Sequence, residues 1–227
     1  MAIDRLGLYN KALLACGERF LSALTDSNEP RRLLDNVWDS DGREYCLEQG
    51  AWQFAMRTTR IEVDESFTTP DFGYQYAFTK PTDWVATDAV CQDEFFRVPL
   101  LDYADEMGYW FASIQPLYVK FISKGNTYGL DMSLWPASFG EYVANVFASR
   151  IIGKLAGDKS EQMKALFGPA GYPERGSLER SLHKARSAAA RTQPTRFPAT
   201  GAWVNSRRGG SRRGPMGDGG TSGSLTG

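Results

Sequence analysis

The hydrophobic period of this chain changes twice along its length, and that limits its possible folds more than any other feature. From Ile3 to about Arg57, apolar residues recur at helical spacing. Over residues 58–130 they alternate, as in strands with one buried face. From Ser133 to about Arg191 the helical period returns, and from Thr192 onward no period is left. This order predicts an α+β chain. Residues 1–57 and 131–191 make one discontinuous helical domain, an antiparallel bundle. Residues 58–130 make a small antiparallel β domain inserted into it, and 192–227 make a flexible basic C-terminal arm.

The first helix is expected over Ile3–Leu24, with Leu6, Leu13, Cys16, Phe20 and Leu24 on its apolar face. A second runs from Pro30 to about Arg57. Its stripe is Leu34, Val37, Trp38, Tyr45, Trp52 and Ala55, and Gly42 and Gly50 interrupt it at about 1 kcal/mol each. Strands are expected at 58–63, 74–78, 84–90, 97–100, 108–113 and 117–122. Phe139, Val143, Phe147, Ile151 and Leu155 then mark a long helix, with Gly157 as its C-cap. Asp158 to Glu161 has the form of a capping box before a helix to about Phe167. Gly168–Pro173 breaks the pattern, and a last helix spans Glu174–Arg191 with Leu178, Leu182 and Ala185 inward.

The net charge of −1 hides an asymmetry. Residues 1–174 hold 16 Lys+Arg and 25 Asp+Glu, a balance of −9, whereas 175–227 hold 10 and 2, a balance of +8. An acidic body with a basic tail points to a tail that seeks an anionic surface: nucleic acid, a membrane or another protein's acidic face. The plainer reading is a solvated tail. Nine glycines among the last 36 residues leave little to build a core from. Phe197 and Trp203 are the aromatics of this stretch, large apolar groups suited to a partner's pocket.

Few residues of the chain suit catalysis or metal binding. Cys16, Cys46 and Cys91 are odd in number and widely spaced, giving neither a disulfide framework nor a CxxC metal pattern. One histidine, His183, argues against a triad or a His-rich metal site. The glycines of 209–220 lack the Lys-Ser/Thr step of a phosphate loop. Glu44 and Glu48 lie one helical turn apart. Their separation from other acids is open, and a solvated helix face is the simpler account. Arg207-Arg208 and Arg212-Arg213 between glycines look like nucleic-acid-binding sequence, but with few interleaved aromatics. Trp38, Trp52, Trp84, Trp110 and Trp135 read as core. No run of about 18 apolar residues is present, and no signal peptide is recognisable at the N-terminus.

Several stretches share a resemblance. These are Tyr9-Asn10-Lys11-Ala12-Leu13 with Gly17-Glu18-Arg19, and Tyr45 to Gly50 followed by Trp52-Gln53-Phe54-Ala55. Further along come Phe78 to Trp84 (F-T-K-P-T-D-W), Phe139 to Leu155, and Gly201 to Arg207 with its central Trp203. In this order they resemble the head-to-tail adaptor proteins of short-tailed bacteriophages, the tail tubular protein A family. Ile152-Gly153 stands where that family has Leu-Ala, and the Gly168–Pro173 break departs from a continuous helix.

The resemblance implies a structural protein of the virion, made in the host bacterial cytoplasm, with no enzymatic activity and no cofactor. It implies a dodecameric ring beneath the phage portal protein, joined below to a tail nozzle or tail tube protein. Double-stranded DNA would pass through its lumen without sequence-specific binding, and no membrane is involved. The portal-docking arm would use Phe197, Trp203, Arg207 and Arg208. Two other classes stand beside this one: a virion-associated cell-wall hydrolase, and a nucleic-acid-binding module using the Arg/Gly tail.

Overall fold

The computed structural model describes residues 3–67, 70, 72–106, 108–155 and 157–192. All of these fall in one compact unit, Met1–Gln193. The fold is mixed α+β. Helices α1 (Arg5–Ala15), α2 (Glu29–Asp39) and α3 (Gly42–Glu48) come first. Strands β1 (Met56–Ile61), β2 (Tyr76–Thr79), β3 (Trp84–Cys91), β4 (Ala104–Glu106), β5 (Tyr109–Ala112) and β6 (Leu117–Ser123) follow. Helices α4 (Ala137–Ile151), α5 (Ser160–Phe167) and α6 (Ser177–Thr192) close the described chain.

The N-terminal helices are shorter than the sequence predicts. Asp4 caps α1 by accepting from the Gly7 N–H at 3.0 Å. The helix stops at Cys16 because Gly17 takes a left-handed φ of +68°. Phe20, expected inside, is 61 % exposed. Leu21 is buried instead, because the Asn10 amide bonds both its N–H (2.8 Å) and its C=O (3.1 Å). The expected second helix is two. Asn28 caps α2 by accepting from the Arg31 N–H, and Pro30 fits its first turn. Ser40 leaves the helix with extended backbone, and α3 restarts at Gly42. A single 3-10 turn, Gln53–Ala55, then leads into β1. Tyr45, placed on the inward stripe, is exposed.

Helix α4 lies against α1, α2, α3, α5 and α6. That position explains why it is apolar nearly all round. Phe139, Tyr142, Val143, Val146, Phe147 and Ile151 are all buried, as are Ala144 and Ala148 on its other sides. It ends in a 3-10 turn, Ile152–Lys154, before Gly157. Asp158 accepts from the Ser160 N–H at 2.9 Å, while Glu161 pairs with Lys164 rather than closing a capping box. The Gly168 break is real. It has φ +81° and ψ 166°, a conformation open essentially to glycine alone.

The strands make two antiparallel three-stranded sheets, ordered β1-β6-β3 and β2-β5-β4. No strand forms at 97–100, where only Pro99 bridges to Cys91, and β4 was not legible in the sequence. The first sheet serves two cores. Leu117, Val119 and Phe121 of β6, with Ile61, face the second sheet and pack with Phe78, Trp110 and Ala112. Met56, paired with Ile122, turns the other way and joins Ile122, Val85 and Ala86 against the helices. A polar knot ties the sheets together at their edge. Trp110 Nε1 donates to Thr87 Oγ1 and Asp105 Oδ2, both at 3.1 Å. Lys80 pairs with Asp105 and lies 3.7 Å from the Trp84 ring centroid. A mostly buried ammonium thus has both an anion and an aromatic face.

Candidate docking surfaces

The residues that the sequence nominates for docking, Phe197, Trp203, Arg207 and Arg208, lie outside the described residues. Lys124 holds Glu44 at 3.0 Å, while Glu48 is exposed at the end of α3. His183 is exposed on α6 in a shallow depression with Glu174, Glu179 and Arg180. Among the described residues, no three His, Cys, Asp or Glu side chains group as metal ligands. No helix among them is long and apolar enough to cross a membrane. Trp52, Trp110 and Trp135 are buried, and Trp38 and Trp84 pack partly buried against the two cores.

Burial sets the state of the thiols. It pushes Cys16 up to about 11, with Lys159 opposing and Glu18 adding to the shift. It raises Cys46 still further above an ordinary thiol. Neither is a nucleophile near neutral pH. The ordinary acidic partners are in place elsewhere. Asp35 accepts from Tyr9 Oη at 2.9 Å and pairs with both Arg5 and Arg31 at 2.6 Å, joining α1 to α2. Burial holds the Tyr9 hydroxyl protonated well above its usual range; its bond from Arg5 opposes the shift and its bond to Asp35 adds to it.

Two surface features are built differently from the rest. The first is an apolar groove of about 410 Å³, lined by Trp52, Gln53, Phe54, Pro136, Phe139 and Ala188, among others. Its floor is fixed by the sequence W-x-F-A. The Trp52 indole N–H donates to the C=O groups of Cys46 (3.1 Å) and Leu47 (3.0 Å), which are orphaned at the end of α3. The 3-10 turn then sets Phe54 beside Trp52, and both rings meet Phe139 with centroids 4.8 Å apart. The other wall is Ala185, Ala188, Ala189 and Thr192 on the last turns of α6. Beneath these small side chains Trp52 and Phe139 are buried, and Phe54 is the ring left partly accessible. Gln53, a lining residue, has a buried Nε2 with no hydrogen-bond partner among the described residues, a donor that a carbonyl oxygen would satisfy.

The second is the loop 93–101. Asp93 holds it by accepting from the N–H groups of Arg97 (3.1 Å) and Val98 (2.8 Å). Gln92 N donates to Val98 O and Leu100 N to Val90 O, continuing the ladder past β3. Phe96 takes φ +55°, and the Arg97 guanidinium stacks 5.0 Å over Phe95. This ordered loop displays Phe95, Val98 and Leu101, which are 67 %, 50 % and 90 % exposed. Neither feature was named from the sequence. The W-x-F-A turn gave the only signal for the groove, and the apolar run Phe95–Leu101 the only signal for the loop. No protein-family model matches the chain, and no curated protein matches it.

Proposed function

We propose that the chain is a structural head-to-tail adaptor of a short-tailed phage. In this reading it forms a ring beneath the portal, joins capsid to tail and provides the conduit for DNA. The helical segments 1–57 and 131–191 form the bundle of the subunit, 58–130 the inserted β domain, and 192–227 the arm that reaches the portal. The single observation that carries the reading is the ordered run of resembling motifs along the chain, strongest at Trp52–Ala55. Geometry adds support: that motif builds a turn that ends a helix, starts a strand and floors an apolar groove. It does structural work and leaves no catalytic group behind it.

The acidic balance of residues 1–174 suits a DNA conduit. A negative lumen repels phosphate and keeps the duplex from sticking. The basic arm supplies the opposite sign for docking. Trp203 is its chief anchor, with Phe197 second, and Arg207 and Arg208 pair with carboxylates of the portal.

Mixing the full chain with the portal protein, and weighing the products by mass photometry, tests this. A discrete ring on the portal is expected. Trp203→Ala and deletion of 193–227 should each weaken docking, with a loss on the order of 2–4 kcal/mol for the indole, and leave the helical circular dichroism intact. Docking unchanged by the deletion refutes the arm. No complex at physiological salt refutes the adaptor.

A further inference from the structure

We infer that the loop 93–101 of one copy seats in the apolar groove of a second copy, between Trp52–Phe54, Phe139 and the end of α6. The inference rests on the reading of the chain as a ring subunit and gives that ring its lateral contact. Three observations choose a second copy as the occupant.

The first is shape. The loop is an exposed apolar knob, and the groove is an apolar hole whose accessible lining is Phe54, Pro136, Ala188 and Ala189 over the buried rings of Trp52 and Phe139. A protruding apolar patch that fits a pocket elsewhere on the same molecule makes a contact between unlike faces. Such contacts repeat head to tail and close into rings or run on as filaments. The groove's volume of about 410 Å³ takes a phenyl ring with an aliphatic neighbour, as Phe95 and Val98 supply.

The second is charge. The loop and its flanks carry Asp93, Glu94 and Asp102 against Arg97. Helix α6, which walls the groove, carries Arg180, Lys184, Arg186 and Arg191 against Glu179. Lys184 is already paired with Glu141, and Arg186 Nε donates to Gln49 O. Arg186 and Arg191 remain exposed on the two turns that line the groove. An acidic knob against a basic wall aligns the copies and sets their direction.

The third is the buried donor. Gln53 Nε2 has no partner among the described residues. A loop entering the groove brings backbone carbonyls, which an aliphatic ligand or a lipid chain lacks.

Disulfide trapping with full-length chains tests the contact. One preparation carries Val98→Cys and the other Ala188→Cys. The native thiols Cys16, Cys46 and Cys91 are buried and do not compete. Under mild oxidation, a linked heterodimer is expected only when the two are mixed, and a chain carrying both changes should give a ladder. Adding Phe95→Ser to the Val98→Cys chain should cut the yield about tenfold or more. Glu94→Lys, or added salt, should lower it as well.

A yield no higher than with Lys154→Cys in place of Ala188→Cys overturns the proposal, as does a link formed only within single chains. Mass photometry of the unmodified protein separates the two readings. Rings whose engineered cysteines do not pair overturn this contact and leave the adaptor standing. Cysteines that pair only in open chains of copies support this contact and overturn the ring. Copies that neither link nor associate overturn both.

Discussion

Arg57 Nη1 lies 2.8 Å and 2.9 Å from the two carboxylate oxygens of Asp83, joining β1 to the turn before β3. Asp83 also accepts from the Ser123 hydroxyl, and its backbone C=O accepts from Lys124 N at 2.7 Å. Arg57 in turn lies 5.8 Å from the Phe121 ring centroid and 5.7 Å from that of Tyr128. The K-P-T-D-W motif is therefore a structural latch for the first sheet.

That latch has a pH signature. Burial pushes the Asp83 carboxyl up, but the Ser123 hydroxyl and the Arg57 guanidinium outweigh it, so the group titrates below the usual carboxylate range. The folded pKa lies below the unfolded value of about 3.9. Its stabilisation is present above that value and is lost as pH falls through the folded one. Asp83→Asn should cost about 1–3 kcal/mol at neutral pH and less at about pH 3, below the unfolded value, where part of the carboxylate's contribution is already lost. Urea unfolding at the two pH values measures the difference. An equal loss at both would show that the charge on Asp83 is irrelevant.

Trp52 should separate two contributions. Trp52→Phe keeps a ring against Phe139 but leaves the Cys46 and Leu47 carbonyls without their donor, at about 1–3 kcal/mol. Trp52→Ala also opens a cavity, and about 3–5 kcal/mol is expected. The order of the two urea midpoints checks this. A Phe variant as stable as the parent would remove the indole N–H from the account.

Two glycines with left-handed φ should respond unequally. At Gly157 (φ +87°) an added Cβ meets nothing within 4 Å. Ala there should cost about 1–2 kcal/mol, the backbone strain alone. At Gly168 a Cβ would sit 2.5 Å from Tyr172 O and 2.9 Å from Gly176 N. Gly168→Ala should cost about 3 kcal/mol or more, since the turn between α5 and α6 must shift. Differential scanning calorimetry of both variants decides, and a smaller loss at Gly168 would contradict the close packing of that turn.

The cysteines give a test that needs no mutation. All three are buried, and burial raises Cys16 and Cys46 above an ordinary thiol. A thiol reagent such as dithionitrobenzoate should label none of them promptly in the native state near neutral pH, and all three in denaturant. Prompt native labelling at any site would contradict the burial.

The sequence by itself determined the class of each long segment. The spacing of Phe139, Val143, Phe147 and Ile151 identified α4, because a helix with apolar residues four apart must bury that face. The run Leu117–Ile122 identified β6 as the most strand-like segment, and Gly168–Pro173 announced a break that backbone sterics enforce. The ends of elements were decided elsewhere. Phe20 and Leu24 keep the helical period of α1, yet Gly17 turns the chain and Asn10 buries Leu21 in their place. No local pattern reports a hydrogen bond made eleven residues away. The single apolar stripe drawn from Pro30 to Arg57 was cut into α2, α3 and a 3-10 turn: both helices pack on α4, and α3 also meets β3 of the first sheet. Both docking surfaces are likewise tertiary. The groove needs Trp52, Phe139 and Ala188, which are far apart in the chain, and it exists only where three elements stop short of filling the space between them.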